Sequence, residues 1–348
     1  MHGPPNCAGM KRCTAALLGL LLLVGHSWAA TPRSWALLVG VDRYDSNSIS
    51  PLQFAGADAR ALAQTFIEAC GFDRQRVVVL TSDGDPKTAP TSDNILEWLE
   101  TMRGEVGPDD TFVFFFSGHG IERDGQNWLL TANTKPGSTS LLKKSALSTA
   151  EVRKALKGIR ASRLVQIVDA CRNDPMGGRG VGDNRLTNGM SRDLRAVPNA
   201  AGGSVQVSAT LFACSVSQRS YEGYNGHGYF TYFLMRGLRG AAAREDGTVT
   251  LNSLVQYVEE KVPETVRMHE HGKVQVPYAE ILGTGASQFV LARSSPVALK
   301  PTPSTALRQV HTTAELVEFL RGSADGVVEL REMNTWVRVE KTGSRARV

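Results

Sequence analysis

Two uncharged runs limit what this chain can become. Thr111-Phe112-Val113-Phe114-Phe115-Phe116 passes directly into Ser117-Gly118-His119-Gly120, and Leu164-Val165-Gln166-Ile167-Val168 passes into Asp169-Ala170-Cys171-Arg172. Runs of this length, rich in β-branched and aromatic residues, read as strands buried on both faces, which is the situation of a parallel sheet. In open parallel sheets, ligands bind beyond the carboxyl ends of the strands. Two neighbouring strands ending in His119 and Cys171 would therefore bring a base and a thiol to one crevice, the layout of a cysteine hydrolase.

The surrounding pattern alternates. Trp35 to Val41 reads as a strand and Ala55 to Cys70 as a helix stopped by Gly71, with Ala59, Leu62, Ala63, Phe66 and Ile67 on its inward stripe. Val77 to Leu80 is a second strand. Ser92 or Asp93 is expected to cap a helix over Asn94 to Met102. Ser148-Thr149-Ala150-Glu151 is a capping-box signature opening a helix to about Ile159. Ala209 to Cys214 resumes as strand, followed by helices over Gly228 to Leu238 and over Leu251 to Val262, the latter started by Thr250 or Asn252. Gln288 to Leu291 then ends the core as a strand. Such alternation predicts a mostly parallel central sheet with helices on both faces. Between Cys171 and Ser204 the chain is rich in Gly, Asn, Asp and Arg without an apolar period, and is expected to be a long mobile loop that cannot build core.

At 348 residues the chain exceeds a usual single domain, so one main domain with an appendage is expected. Lys11-Arg12, the apolar stretch Ala15 to Val24 and the small residues of Ser27-Trp28-Ala29-Ala30 mark residues 1–29 as a secretory leader. Its apolar core falls short of the roughly twenty residues a membrane span needs. The main domain then covers 30–295, a proline-bearing linker 296–308, and a small module 309–348 with a helix over Ala314 to Leu320 and strands around Val327 to Leu330 and Trp336 to Val339. The protein is thus expected to be exported, periplasmic or secreted, with no membrane contact beyond the leader. Loss of Lys11 and Arg12 lowers the formal charge from +5 to +3, and no basic cluster interleaves with aromatics, so nucleic acid is not an expected partner. Cys7 and Cys13 leave with the leader. Three thiols remain, Cys70, Cys171 and Cys214, an odd count that argues against a disulfide framework.

A thiol attacks a carbonyl as thiolate, and its free pKa near ~8.5 calls for an imidazole to take the proton. His119 is the candidate, because His227, His269, His271 and His311 do not cap hydrophobic strands. Cys171 ends its strand before a charged loop, whereas Cys214 lies in an apolar run and Cys70 ends a helix, both reading as packing residues. Zinc is disfavoured by the lack of paired-ligand spacing. A G-x-S-x-G elbow and a phosphate-cradling glycine loop are missing.

Phe116-Ser117-Gly118-His119-Gly120 and Asp169-Ala170-Cys171-Arg172 together resemble the catalytic motifs of caspase-like cysteine peptidases, with His before Cys at about fifty residues' separation. The likeness extends from Trp35 to Leu291, through Asp58-Ala59 in the first helix and Ala213-Cys214-Ser215 to Gly228-Tyr229-Phe230-Thr231. It implies a caspase-type three-layer αβα sandwich with a mostly parallel central sheet, plus a small C-terminal appendage. Departures select the branch: Pro51 to Gly56 holds no basic residue, and Asp169 stands two residues before the cysteine. Asp58 and Asp169 instead resemble the acidic pair lining the first specificity pocket of metacaspases and paracaspases.

The resemblance implies a His119/Cys171 dyad, an oxyanion hole from the backbone N–H groups of Gly120 and Cys171, and protein or peptide substrates cut after Arg or Lys. Two pocket carboxylates suit a guanidinium, through charge-assisted hydrogen bonds of roughly 1.5–3 kcal/mol each. No third residue orienting His119 can be named from sequence. No cofactor is implied; metacaspases include calcium-dependent members, yet no dense acidic ligand run is present and no metal residues are assigned. Arg172, Arg179, Arg185, Arg192 and Arg195 make the loop after Cys171 a candidate for self-cleavage. The competing readings are a catalytically silent binding protein of this fold and a legumain-like hydrolase, the second disfavoured by Asp169. Oligomeric state is not readable from the sequence.

Overall fold

The computed structural model describes Met1, Gly3, residues 31–170, 187–195 and 206–293, and the strand backbones at 308–310, 326–332, 335–342 and 345–347. The expected leader apart from Met1 and Gly3, the linker up to residue 307, Cys171, loop residues 172–186 and 196–204, and the helix expected over Ala314 to Leu320 lie outside the described residues. In chain order the elements are β1 (Ser34–Gly40), α1 (Ala55–Ala69), β2 (Val77–Thr81), α2 (Ser92–Glu105), β3 (Thr111–Ser117), β4 (Gly120–Arg123), β5 (Gln126–Leu129), α3 (Thr139–Ser145), β6 (Leu147–Ser148), α4 (Thr149–Gly158) and β7 (Arg163–Asp169). There follow α5 (Asn188–Asp193), β8 (Val207–Phe212), β9 (Glu222–Tyr224), β10 (His227–Gly228), α6 (Tyr229–Arg236), β11 (Thr248–Thr250), α7 (Leu251–His269), β12 (Tyr278–Leu282) and β13 (Val290–Arg293). The tail adds β14 (Arg308–Val310), β15 (Gly326–Glu332), β16 (Thr335–Thr342) and β17 (Arg345–Arg347), a four-stranded sheet in that order.

The central sheet runs β12-β8-β7-β3-β1-β2. All its pairings are parallel except β12 with β8. Side chains alternate between two cores. Ala36, Leu38, Val113, Phe115, Val165 and Ile167 join α1, α6 and α7 on one face. Leu37, Val39, Phe112, Phe114, Phe116, Leu164 and Val168 join α2 and α4 on the other. This is the expected three-layer arrangement. Every residue of β3 is buried, as its uncharged sequence requires.

Local chemistry sets the helix ends. Gly56 N–H of α1 donates to Asp42 Oδ2 at 2.9 Å, so a residue from the exit of β1 caps the helix. Close packing enforces this placement, since a β-carbon on Gly40 would fall 2.2 Å from the Ala55 carbonyl oxygen. Gly71 takes φ +72 and turns the chain back, and Phe72 N–H returns to the Phe66 carbonyl. Ser148 and Glu151 form the expected capping box on α4, and Thr250 caps α7.

Several expectations are corrected. The cap of α2 is Thr91, one residue before Ser92, because its hydroxyl reaches the Asn94 N–H. Helix α7 runs to His269, past Pro263. Strand β8 ends at Phe212, and Cys214 lies beyond it, buried. The strand expected to end the core, β13, pairs with β11 in a separate two-stranded ribbon. The edge of the central sheet is β12, whose Glu280-containing, half-buried pattern gave no clean signal.

The expectation of a structureless segment after Cys171 also fails for 187–195. Met190 and Leu194 are 2% and 1% exposed and belong to the core under the sheet. Gln166 Nε2 and Thr210 Oγ1, buried polar groups on β7 and β8, both donate to the Leu194 carbonyl. Asn127 Nδ2 and Thr149 Oγ1 donate to Asp193, Arg153 donates to the Arg192 carbonyl, and Arg195 pairs with Glu280 at 2.8 Å. Two apolar residues suffice to order the segment because its polar groups find partners supplied by distant elements.

At the amino ends of β1 and β3, Asp110 accepts from the backbone N–H groups of Arg33 and Gly107, the Arg33 guanidinium and Trp35 Nε1. Burial opposes ionisation of its carboxyl, but these donors outweigh it and hold the pKa below the ordinary value. A depressed carboxyl contributes stability that is complete above the unfolded Asp value near ~3.9 and is lost as pH falls through the folded value. Asp110→Asn is therefore expected to lower stability at pH 7 by about 1–3 kcal/mol. Denaturant titrations at pH 7 and pH 3 check this, with the gap from wild type narrowing at the lower pH.

Candidate active site

The register of three strands builds the rim of the site. Gly40 of β1 pairs with Ser117 of β3, and Ser117 pairs with Asp169 of β7. Each exit is locked to its neighbour: Val41 N–H donates to the Ser117 carbonyl at 2.9 Å and Gly118 N–H to the Asp169 carbonyl at 3.1 Å. The sheet reverses its winding between β1 and β3, because β2 lies outside β1 while β7 and β8 extend the other side. At such a switch point the connecting loops part and leave a crevice. The loop leaving β1 and the loop leaving β3 flank it.

His119 stands there, 1% exposed. Its carbonyl accepts from Leu130 N–H at 2.9 Å and its own N–H donates to the Tyr44 hydroxyl at 3.1 Å. The ring Nε2 lies 2.9 Å from the Ser50 carbonyl oxygen. A carbonyl only accepts, so this contact places the hydrogen on Nε2 and the lone pair of the neutral ring on Nδ1. In this tautomer the ring can accept a proton at Nδ1. Tyr44 stacks on it with ring centroids 5.5 Å apart. Neither Ser50 nor Tyr44 was identified from sequence. Ser50 acts through its backbone, which any residue carries.

Gly118 and Gly120 are needed for close approach. A β-carbon on Gly118 would sit 2.9 Å from the Phe116 ring, and one on Gly120 would sit 2.8 Å from Met190 Cε and 3.0 Å from the Ala170 carbonyl oxygen. The segment 187–195 therefore packs directly on the strand end that carries the expected oxyanion donor.

Asp169 is wholly buried at the end of β7, beside Ser117. Asp58 is wholly buried in the first turn of α1, which excludes a surface role. Its Oδ1 accepts from His227 Nδ1 at 2.9 Å, and both of its oxygens lie 3.2 Å from Gly228 N, at the start of α6. The structure thus joins Asp169 to the strand end of His119, and Asp58 to His227 and Gly228. Cys171 follows Ala170 and lies outside the described residues. The other thiols suit a packing role: burial pushes the Cys70 pKa up to about 12, and Cys214 is buried with Sγ 3.5 Å from the Gln218 carbonyl. Among the described residues no group of three or more His, Cys, Asp or Glu side chains is placed to hold a metal ion, and no helix is long and apolar enough to cross a membrane.

Comparison with known proteins gives the family and the fold. The chain is 32% identical over 93 residues to Metacaspase-1A of Aspergillus oryzae, a stretch covering 26% of this chain and 22% of the relative. It is 33% identical over 95 residues to Metacaspase-1B of Aspergillus terreus, covering 26% and 24%. The alignments thus span less than a quarter of the curated relatives' length. In fold, the crystal structure of protein GSU0716 from Geobacter sulfurreducens is similar with a TM-score of 0.53 at 18% identity, covering 75% of this chain and 98% of that one. A family profile described as the caspase domain matches residues 33–283, which is most of the chain. The chain belongs to the caspase-domain family.

Proposed function

We propose that this protein is a metacaspase-type cysteine endopeptidase that uses His119 and Cys171 as a dyad and cuts after Arg or Lys. One observation carries the reading. His119 is held as an Nδ1 base two residues beyond Ser117, and Ser117 pairs in register with Asp169, two residues before Cys171. Chain connectivity keeps the Cα of Cys171 within about 7 Å of that of Asp169. Support for the pairing comes from the adjacency of β3 and β7, the strands that precede His119 and Cys171 in the sequence.

In this mechanism the Cys171 thiol gives its proton to His119 Nδ1 and the thiolate attacks the scissile carbonyl. Backbone N–H groups of Gly120 and Cys171 hold the oxyanion, a contribution near ~2.7–4 kcal/mol per donor. The imidazolium protonates the leaving amine, and water then hydrolyses the thioester with His119 as base. Specificity for a basic side chain would come from the buried carboxylates of Asp169 and Asp58. Asp58 also receives N–H groups from His227 and Gly228. The leader assigns the enzyme to the periplasm or the exterior. Self-cleavage would fall after Arg172, Arg179 or Arg185, because Arg192 and Arg195 lie in the anchored segment.

Cys171→Ala and His119→Ala are each expected to remove turnover of Arg-terminated fluorogenic peptides. Intact mass after purification should show fragments for wild type and one species for Cys171→Ala. Turnover by Cys171→Ala would overturn the dyad, and a single uncleaved species from both proteins would reject self-cleavage. For the pocket, Asp169→Ala is expected to reduce kcat/KM for Arg peptides by about 100-fold, from the loss of charge-assisted bonds. Asp58→Ala, in contrast, should also lower the thermal midpoint, because Gly228 N–H and His227 lose their acceptor. Unchanged Arg-over-Ala preference in both variants would reject the acidic pocket.

A further inference from the structure

We propose that Tyr44 is a positioning residue for His119, fixing the ring in the orientation in which Nε2 meets the Ser50 carbonyl. The proposal rests on the reading of His119 as the base. Three features of the structure support it.

First, the Tyr44 hydroxyl accepts the His119 N–H at 3.1 Å and lies 3.4 Å from the Val41 carbonyl, to which it can donate. One side chain thus ties the exit of β3 to the exit of β1 across the switch point. It also satisfies a buried N–H where the chain has left the sheet. Second, the Tyr44 ring stacks on the imidazole at 5.5 Å with 28° between planes, so backbone and ring of His119 are both held by one residue. Third, Tyr44 is itself held. It packs against the core on the α2 and α4 face and against a second cluster of Ile49, Ile121, Trp128, Leu130, Leu142 and Ala146. Its neighbours Val41 and Asp45 bond through their N–H groups to the Ser117 and Ala132 carbonyls. Ile49, buried in that second cluster, carries the chain back towards Ser50. The two groups that orient His119, an aromatic ring and a carbonyl, therefore come from one short loop pinned at several points. A base displaced by about 1 Å can cost on the order of 100-fold in rate, so this grip bears directly on turnover.

The test compares full-length wild type with Tyr44→Leu, which fills the core contacts without stacking or bonding, and Tyr44→Phe, which keeps the stack alone. His119→Ala and Cys171→Ala serve as references. The measurements are kcat and KM on an Arg-terminated peptide, the rate of Cys171 alkylation by iodoacetamide read by peptide mass, and the thermal midpoint. Tyr44→Leu is expected to lower kcat by about 30- to 100-fold with KM within about twofold, and to slow alkylation towards the His119→Ala rate. Tyr44→Phe should keep kcat within about tenfold of wild type, the loss of one hydrogen bond. If Tyr44→Leu does not fold, Tyr44→Phe decides by itself: a stacked variant reduced to the His119→Ala rate overturns the role given to the ring. Wild-type kcat and alkylation in Tyr44→Leu would overturn the proposal while leaving the dyad intact. Alkylation of wild type no faster than that of His119→Ala would overturn the dyad itself, and the role of Tyr44 with it.

Discussion

The parallel register of β1, β3 and β7 is the constraint from which the site follows. Gly40, Ser117 and Asp169 form one row across the sheet, so whatever leaves those strands emerges on one rim. The register is enforced by burial. A slip by one residue would exchange the two alternating side-chain sets, putting Phe112, Phe114 and Phe116 among the partners of Val113 and Phe115. Function at the rim thus depends on hydrophobic packing through the whole strand length.

That rim is assembled from parts with different physical origins. His119 reaches it by strand pairing, Asp58 by the tight seating of α1 on Gly40, and Ser50 and Tyr44 by a loop anchored to β3 and to the second cluster. Segment 187–195 adds a cover on the Gly120 side through Met190. Its anchors are polar as well as apolar, and Gln166, the amide within the apolar stretch 164–168 of β7, donates to the Leu194 carbonyl. A polar residue at 3% exposure in a central strand is accounted for by that bond.

Asp58 shows how one buried carboxylate can join two helices. Its bonds to His227 and Gly228 join the first turn of α1 to the start of α6, and the next residue, Ala59, is buried in the core.

The alternating strands and helices, the capping box of α4, the two buried strands β3 and β7, and the buried character of Cys214 could be read in the sequence, because each is written in local hydrophobic period or cap chemistry. The edge strand β12, half-buried and carrying Glu280, lacked that signal, and segment 187–195 was misread because its order comes from partners in distant strands and helices. Ser50 could not be found at all, since a backbone carbonyl has no residue signature, and Tyr44 reads as any loop aromatic until the fold sets it against His119. The sequence by itself determined most of the elements and offered the candidate residues for the chemistry. Only tertiary structure decided how the base is oriented, because orientation is set by contacts between residues far apart in the chain.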